Sequence, residues 1–182
     1  WRLFWPLINQ LATPTITLLG HSMGAAIASM YAACFPKNIN KLILLDMLGP
    51  LNRAITDTTT KLTQSILAIS TKNPSKTLYP DIESMIKRSI EKSGLPADLM
   101  APMVKHGTIA VTGGYQWTFD SRLLLPSSTC LSEPRILNLL SNITCPNLTI
   151  MSEKIRMHHS TQFEARYNIL HHNTLATVNA GL

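Results

Sequence analysis

The feature that most constrains this chain is the pentapeptide Gly20-His21-Ser22-Met23-Gly24, which lies between an apolar run and a stretch rich in small residues. Residues 15–19 predict a fully buried strand, and residues 23–35 carry alanines at helical spacing. A strand, a Gly-x-Ser-x-Gly turn and a helix form the context in which a nucleophilic serine stands at the tip of a sharp turn. The pattern therefore predicts Ser22 as a candidate nucleophile.

Each residue type in this turn has a physical reason. The serine has to adopt a backbone conformation that ordinary residues avoid, and we expect Gly20 and Gly24 to let the strand and the helix approach closely. The helix after Ser22 points its N-terminal amides at the reacting centre, where they favour negative charge. We expect the amide of Met23 to be one donor of an oxyanion hole. The alternative is a glycine-containing turn with a solvated serine.

A second apolar run, residues 41–45, follows the helix and ends at Asp46. A strand, a helix and a strand within about 30 residues predict a βαβ crossover in a parallel sheet. Two later runs, residues 147–151 and 174–178, predict further strands of this sheet. Helices are predicted at residues 1–12, 51–69, 79–91, 97–105, 132–140 and 161–171, and residues 106–122 form a polar and aromatic stretch with no predicted element.

The composition excludes several classes of protein. Hydrophobic residues make up 45% of the chain and charged residues 14%, as in globular proteins. The net charge of +6 comes from scattered single cations, so we expect no nucleic-acid partner, and we expect no membrane span. Cys34, Cys130 and Cys145 show no metal or redox spacing. We expect buried reduced thiols, which suit a cytoplasmic protein.

Four segments resemble the α/β-hydrolases and, more narrowly, the serine-hydrolase-like esterases of that superfamily. They are Leu-Leu-Gly-His-Ser-Met-Gly-Ala at 18–25, Lys-Leu-Ile-Leu-Leu-Asp-Met-Leu-Gly-Pro at 41–50, Gly-Gly-Tyr-Gln-Trp-Thr-Phe-Asp-Ser-Arg-Leu at 113–123 and Ile-Thr-Cys-Pro at 143–146. The resemblance implies an α/β fold, a Ser–acid–His triad and an ester-like small-molecule substrate. It implies no metal and no organic cofactor, and it does not predict an oligomeric state.

The resemblance carries the triad over only in part. Ser22 matches the nucleophile, and members of the superfamily place the acid after either of two strands. Asp46 follows the strand beside the elbow strand, at the edge where catalytic groups of such sheets collect, and Glu153 follows the later strand. Asp46 is the preferred acid, with the alternative that its carboxylate only caps the next turn.

The resemblance places the catalytic histidine in a loop after the last strand, which here is residues 174–178. We expect that histidine to lie beyond Leu182. Six histidines precede that strand. We expect four of them to be surface residues and His21 to pack against its neighbours; the four are His158, His159, His171 and His172.

The resemblance also predicts the domain organisation. Residues 1–50 and 142–182 form an incomplete α/β-hydrolase core with a partial parallel sheet of about four strands, and residues 51–141 form a helical cap insertion. The insertion of about ninety residues exceeds an ordinary crossover, although a connecting helical layer is the alternative. Because the family places several strands ahead of the elbow strand, we expect an internal fragment that is marginally stable alone.

The function predicted for the complete protein is that of a serine hydrolase, which cleaves a carboxylic ester or a similar acyl substrate. We expect the 182 residues alone to show little turnover, because the base is missing from the triad. One alternative is a catalytically inactive hydrolase-like protein that binds a ligand or a partner. Another is a chance elbow in an unrelated α/β domain.

Overall fold

The computed structural model describes residues 4–11, 13–52, 58–71, 76–124, 131–153 and 160–179. Predictions that concern Cys130, His158 and His159 lie outside these residues. The chain divides into two compact units. The sheet unit comprises Trp1–Ile55 and Cys130–Gly181, and the inserted unit comprises Thr56–Thr129.

The elements follow one another in the order that the hydrophobic pattern predicts, with one addition. They are α1 (Phe4–Gln10), β1 (Ile16–His21), α2 (Met23–Cys34), β2 (Ile39–Leu45), α3 (Thr58–Thr71), α4 (Ile82–Ser93), α5 (Ala97–Gly107), β3 (Thr108–Val111), β4 (Gly114–Trp117), α6 (Glu133–Leu140), β5 (Asn147–Ser152), α7 (Ser160–Ile169) and β6 (Asn173–Val178). The addition is the hairpin of β3 and β4, which falls in the stretch without a predicted element.

The sheet unit is built on four parallel strands in the order β1-β2-β5-β6. Because all four run in the same direction, their carboxyl ends meet at one edge of the sheet. This arrangement confirms the predicted α/β class and the parallel sheet of about four strands. The neighbours β1 and β2 pair from Ile16 to His21, and the last pair is His21 with Leu45.

One face of β1 is exposed, and the prediction of a fully buried strand is wrong for that face. Leu18 is buried, whereas the next residue, Leu19, is 62% exposed. The reason is the position of the strand: among the described strands, β1 pairs only with β2 and lies at the edge of the sheet. Its residues therefore alternate in burial, as in a strand that packs on one side.

Helices α2 and α6 supply the side chains that cover the buried face. Ala25, Ala28 and Ala32 of α2 are buried in one cluster with Ile136 and Leu140 of α6. Small side chains let a helix lie close to a sheet, and the fully buried leucines of β2, Leu42 and Leu44, fill the space between the layers. Burying each of these leucines contributes about 1.5–3 kcal/mol.

The inserted unit has a separate small core. Met85 of α4 and Met100 and Val104 of α5 are buried, and Tyr115 and Trp117 of the hairpin pack against them. Helix α4 begins where Asp81 accepts a 2.7 Å hydrogen bond from the amide of Ser84, as a favoured N-cap residue does.

Helix α6 lies within residues 51–141, the predicted cap, yet its buried residues belong to the core of the sheet unit. Its amphipathic pattern predicts a helix but does not specify which core that helix joins. The part of this segment that forms a separate unit is therefore Thr56–Thr129. That these residues act as a cap stays a prediction.

Candidate active site

The backbone of Ser22 has the conformation that the sequence motif requires. Its φ of 51° and ψ of −119° lie in a region that residues with side chains rarely occupy, at a cost of about 1–3 kcal/mol. The surroundings hold it there: its amide donates a 2.9 Å hydrogen bond to the carbonyl of Leu45, and its carbonyl accepts from the amides of Ala25 and Ala26. These bonds therefore hold Ser22 at the turn that joins β1 to Met23, the first residue of α2.

Gly20 is the residue that permits the tight passage from β1 to α2. A Cβ atom added there would lie 2.4 Å from the carbonyl oxygen of Gly24 and 2.6 Å from the amide nitrogen of Ala25. A Cβ atom added at Gly24 meets nothing within 4 Å. The expectation that both glycines allow the close approach is therefore right for Gly20. Gly24 contributes only its backbone to the contact, because a Cβ atom added there would have open space around it.

Asp46 lies beside Ser22 because of the register between two strands. His21 and Leu45 are partners in the sheet, so Ser22 and Asp46 each follow the last paired residue of their strand. The amide of Asp46 donates a 2.9 Å hydrogen bond to the carbonyl of Ile150 on the next strand. The Oδ1 atom of Asp46 accepts a 2.8 Å hydrogen bond from the amide of Ser152.

The second carboxylate oxygen of Asp46 faces His21. Its Oδ2 atom lies 4.0 Å from Nε2 of His21, whose side chain is 58% exposed. The expectation that His21 packs against its neighbours is therefore wrong: the ring stands at the exposed edge beside the carboxylate. A separation of 4.0 Å is longer than a hydrogen bond, which leaves Oδ2 room for a donor from another residue.

A cavity of about 350 Å³ opens at Ser22 and Asp46, entirely within the sheet unit. Apolar side chains make up half of its lining, namely Met47, Leu48, Leu51, Met151 and Phe163. The other lining residues are polar, namely Ser22, Asp46, Asn52, Gln162 and Arg166. A concave, largely apolar space with a few convergent polar groups is the usual form of a small-molecule site.

Arg166 is the charged residue of this lining that sequence reasoning missed. It is 7% exposed, and its Nε and Nη2 atoms donate 2.7 Å hydrogen bonds to the two carboxylate oxygens of Glu133. Its Nη1 atom donates to the carbonyls of Leu48 at 2.8 Å and Pro50 at 2.9 Å. The Arg166 hydrogen bonds, opposed in part by burial, lower the pKa of the Glu133 carboxyl.

The sequence and the fold were compared with known proteins. A family described as the alpha/beta hydrolase fold matches residues 4–85. A serine hydrolase-like protein of Dictyostelium discoideum is 28% identical over 88% of this chain and 45% of its own length, and one of Danio rerio is 23% identical over 81% and 47%. A hypothetical protein of Pseudomonas aeruginosa PAO1 has a crystal structure that superposes with a TM-score of 0.82, at 26% identity, over 96% of this chain and 62% of that one. Together these likenesses support an α/β-hydrolase superfamily member, and the sheet unit has the corresponding fold.

The chain spans about half the length of the curated relatives it matches. Serine hydrolase-like proteins are among its relatives, and these relatives and the fold point to the hydrolase class. The catalytic roles of Ser22, Asp46 and Met23 stay predictions.

The other described candidate residues are not among those that line this cavity. Glu153 is exposed and is not among the described residues that line the cavity. His171 and His172 precede β6, where their carbonyls accept hydrogen bonds from Asn147 at the start of β5. Because the strands are parallel, that edge lies about 20 Å from the edge of Ser22, the length of a six-residue strand.

The two described cysteines, Cys34 and Cys145, differ in burial. Cys34 and Cys145 are both free thiols, and burial raises the pKa of Cys145. Cys34 is exposed, so the expectation of a buried thiol is wrong there: it lies at the last residue of α2, outside the packed face of that helix.

The described ranges contain no group of three or more His, Cys, Asp and Glu residues placed to hold a metal ion. Within the same ranges, no helix has the length and apolar character needed to cross a bilayer.

Proposed function

We propose that this chain carries the nucleophile of a serine hydrolase that cleaves a carboxylic ester or a similar acyl compound. The observation that supports this most strongly is the positive-φ conformation of Ser22, held at the carboxyl edge of the sheet above an apolar cavity. An exposed polar residue that the fold holds in a costly backbone conformation is typical of a functional site. The names of the relatives support the same class.

In this proposal the oxygen Oγ of Ser22 attacks the carbonyl carbon of the substrate, and its proton passes to a histidine that acts as the base. The amide of Met23 stabilises the negative oxygen of the tetrahedral intermediate. The histidine returns the proton to the leaving alcohol, which leaves an acyl group on Ser22. Water then attacks this acyl group, the carboxylic acid departs and Ser22 regains its proton.

Asp46 orients the histidine in the proposed triad. Its amide donates to the carbonyl of Ile150, and its Oδ1 accepts from the amide of Ser152, so Oδ2 has a defined place beside Ser22. A carboxylate with one oxygen anchored and the other available is suited to fix the tautomer of a catalytic imidazole. Glu153, which is exposed, is the alternative acid.

The rest of the proposal concerns the surroundings of the site. Residues within 51–141 act as a cap in the complete enzyme, and the substrate is a small molecule whose acyl group enters the apolar part of the cavity. The free thiols of Cys34 and Cys145 support a reducing location such as the cytoplasm.

Hydrolysis of a series of p-nitrophenyl esters by the full-length protein tests this function. We expect turnover that falls at least about 1,000-fold in Ser22→Ala, while the thermal midpoint stays within a few degrees of the wild type. A folded full-length protein that binds the esters and does not hydrolyse them would instead support an inactive, ligand-binding member of the superfamily.

A further inference from the structure

Arg166 occupies an unusual place for a cation in an apolar cavity. It is almost fully buried, it lines the same cavity as Ser22 and Asp46, and it comes from α7, far along the chain from both. A buried arginine in a substrate cavity has two possible roles: it binds an anionic group of the substrate, or it holds the protein around the cavity. The hydrogen bonds of its guanidinium distinguish them.

The guanidinium of Arg166 is committed to the protein. An arginine has five N–H donors, and the hydrogen bonds to Glu133, Leu48 and Pro50 use four of them. The two bonds to Glu133 form the parallel, bidentate pair that is the strongest form of such contacts. The charge of Arg166 is therefore balanced by a carboxylate within the wall of the cavity.

The two carbonyls that Arg166 binds belong to one loop. Residues 47–51 follow Asp46 and include three of the apolar residues that line the cavity: Met47, Leu48 and Leu51. Without Arg166, the carbonyls of Leu48 and Pro50 would lie in this wall without a hydrogen-bond donor. This loss costs about 1–3 kcal/mol for each buried group. The guanidinium thus fixes the position of the wall next to Asp46.

The same loop is fixed from its other side by α6. Gly49 adopts a φ of 78°, and a Cβ atom there would come within 3.3 Å of Ile136 and Leu140. Glu133, the first residue of α6, also accepts a hydrogen bond from the side chain of Asn52, just after the loop. One ion pair therefore joins α6, α7 and the loop.

We infer that Arg166, held by Glu133, is a positioning residue that fixes the apolar wall of residues 47–51, so that the cavity accepts neutral, aliphatic acyl groups and rejects acyl groups that carry a carboxylate. This inference rests on the proposed function for its substrate and on the contacts of Arg166 for its mechanism. Because Glu133 balances the charge of Arg166, this charge does not attract a carboxylate on the substrate. The negative charge of Asp46 repels such a carboxylate.

The first test compares p-nitrophenyl hexanoate with the mono-p-nitrophenyl ester of adipic acid on the full-length protein. We expect kcat/KM to be at least about tenfold higher for hexanoate. In Glu133→Gln, which frees the charge of Arg166, we expect this preference to shrink as the adipate ester gains. Equal or better hydrolysis of the adipate ester by the wild type, lost in Arg166→Lys, would overturn the inference, since Arg166 would then bind the substrate.

The second test separates positioning from general stability. The exchange of Glu133→Arg with Arg166→Glu restores an ion pair but turns a carboxylate toward the carbonyls of Leu48 and Pro50. We expect this double variant to lose the preference for hexanoate, because its loop has lost both donors. Arg135→Lys is the matched control on the exposed side of α6 and should behave as the wild type. Full recovery in the exchanged pair would reduce Arg166 to a partner in a stabilising ion pair and overturn the positioning role.

Hydrogen exchange gives a measurement that needs no catalysis. We expect amides of residues 47–52 to exchange at least about tenfold faster in Glu133→Gln, while amides of β5 keep the wild-type rate. Unchanged exchange in the loop overturns the positioning role even if the protein proves to be inactive. Failure of Ser22 to react in any folded full-length protein sinks the proposed function instead and leaves this measurement intact.

Discussion

The amide of Ser152 donates a 2.8 Å hydrogen bond to Oδ1 of Asp46, although 106 residues separate them in the chain. Ser152 is the last residue of β5, and Asp46 directly follows β2, so the bond ties together the carboxyl ends of two neighbouring strands. It orients the carboxylate at the edge where Ser22 stands. The proposed triad depends on this orientation, and it can be tested separately from the nucleophile.

Replacement of Asp46 by asparagine keeps an acceptor for the amide of Ser152 but removes the negative charge. If Asp46 orients the catalytic histidine, we expect kcat to fall about 10³–10⁴-fold while the free energy of unfolding changes by less than about 1 kcal/mol. Steady-state kinetics with an ester and urea unfolding give the two quantities. Glu153→Gln is the matched control and should keep its activity; a large loss there, with Asp46→Asn active, would make Glu153 the acid.

The two glycines of the elbow should respond oppositely to alanine. At Gly20 the new methyl group meets the backbone of Gly24 and Ala25, so we expect the free energy of unfolding to fall by about 1–3 kcal/mol or more. At Gly24, inside α2, the methyl group meets nothing, and we expect a gain of about 0.5–1 kcal/mol from the helix propensity of alanine. Chemical unfolding of both variants checks this. A Gly20→Ala variant as stable as the wild type would contradict the close approach.

Glu133 should make the free energy of unfolding depend on pH. Its pKa is lowered by Arg166, so its ionised form stabilises the fold at pH values above the ordinary pKa of a glutamate, and this contribution is lost as the pH falls through the lowered value. We expect the wild type to exceed Glu133→Gln in unfolding free energy at pH 7, with a difference that shrinks as the pH falls below the ordinary pKa of a glutamate. Urea unfolding across this range measures the difference. A difference that grows on acidification has the wrong sign for this ion pair.

The two described cysteines should differ in reactivity. The exposed thiol of Cys34 should react with iodoacetamide at the rate of a free cysteine at pH 7.5, whereas Cys145 is buried with a raised pKa and should react at least about 100-fold more slowly. Mass spectrometry of the two peptides over time measures both rates in one sample. The difference should vanish in urea, which is the control; equal rates in the native protein would mean that Cys145 is accessible.

Local patterns in the sequence predict most of the fold. Two apolar runs, which end at Leu19 and Leu45, flank an alanine-rich helix and indicate a parallel βαβ unit. The structure confirms this unit. The hairpin of β3 and β4 was not predicted, because its strands are four residues each and carry no alternating pattern long enough to recognise. The pairing of Tyr79 with Tyr115 beside it joins residues far apart in the chain.

Ser22 and Asp46 could be named as candidates because each directly follows an apolar run that forms a strand, and their catalytic roles stay predictions. The motif around Ser22 specifies its own turn, since the backbone of Gly24 and Ala25 leaves no room for a Cβ atom at residue 20. The anchoring of Asp46 by Ser152 and the pairing of Arg166 with Glu133 arise from strand register and from helices that meet in space. A single arginine in a short helix gives no local sign of such a partner.

The measurement that tests the central proposal most directly is the reaction of a fluorophosphonate with the full-length protein, followed by mass spectrometry of the peptide that contains residue 22. We predict one equivalent of label on Ser22, none in Ser22→Ala, and at least about 100-fold slower labelling in Asp46→Asn. A folded wild-type protein that remains unlabelled at Ser22, or that is labelled equally well in Ser22→Ala, would contradict the account.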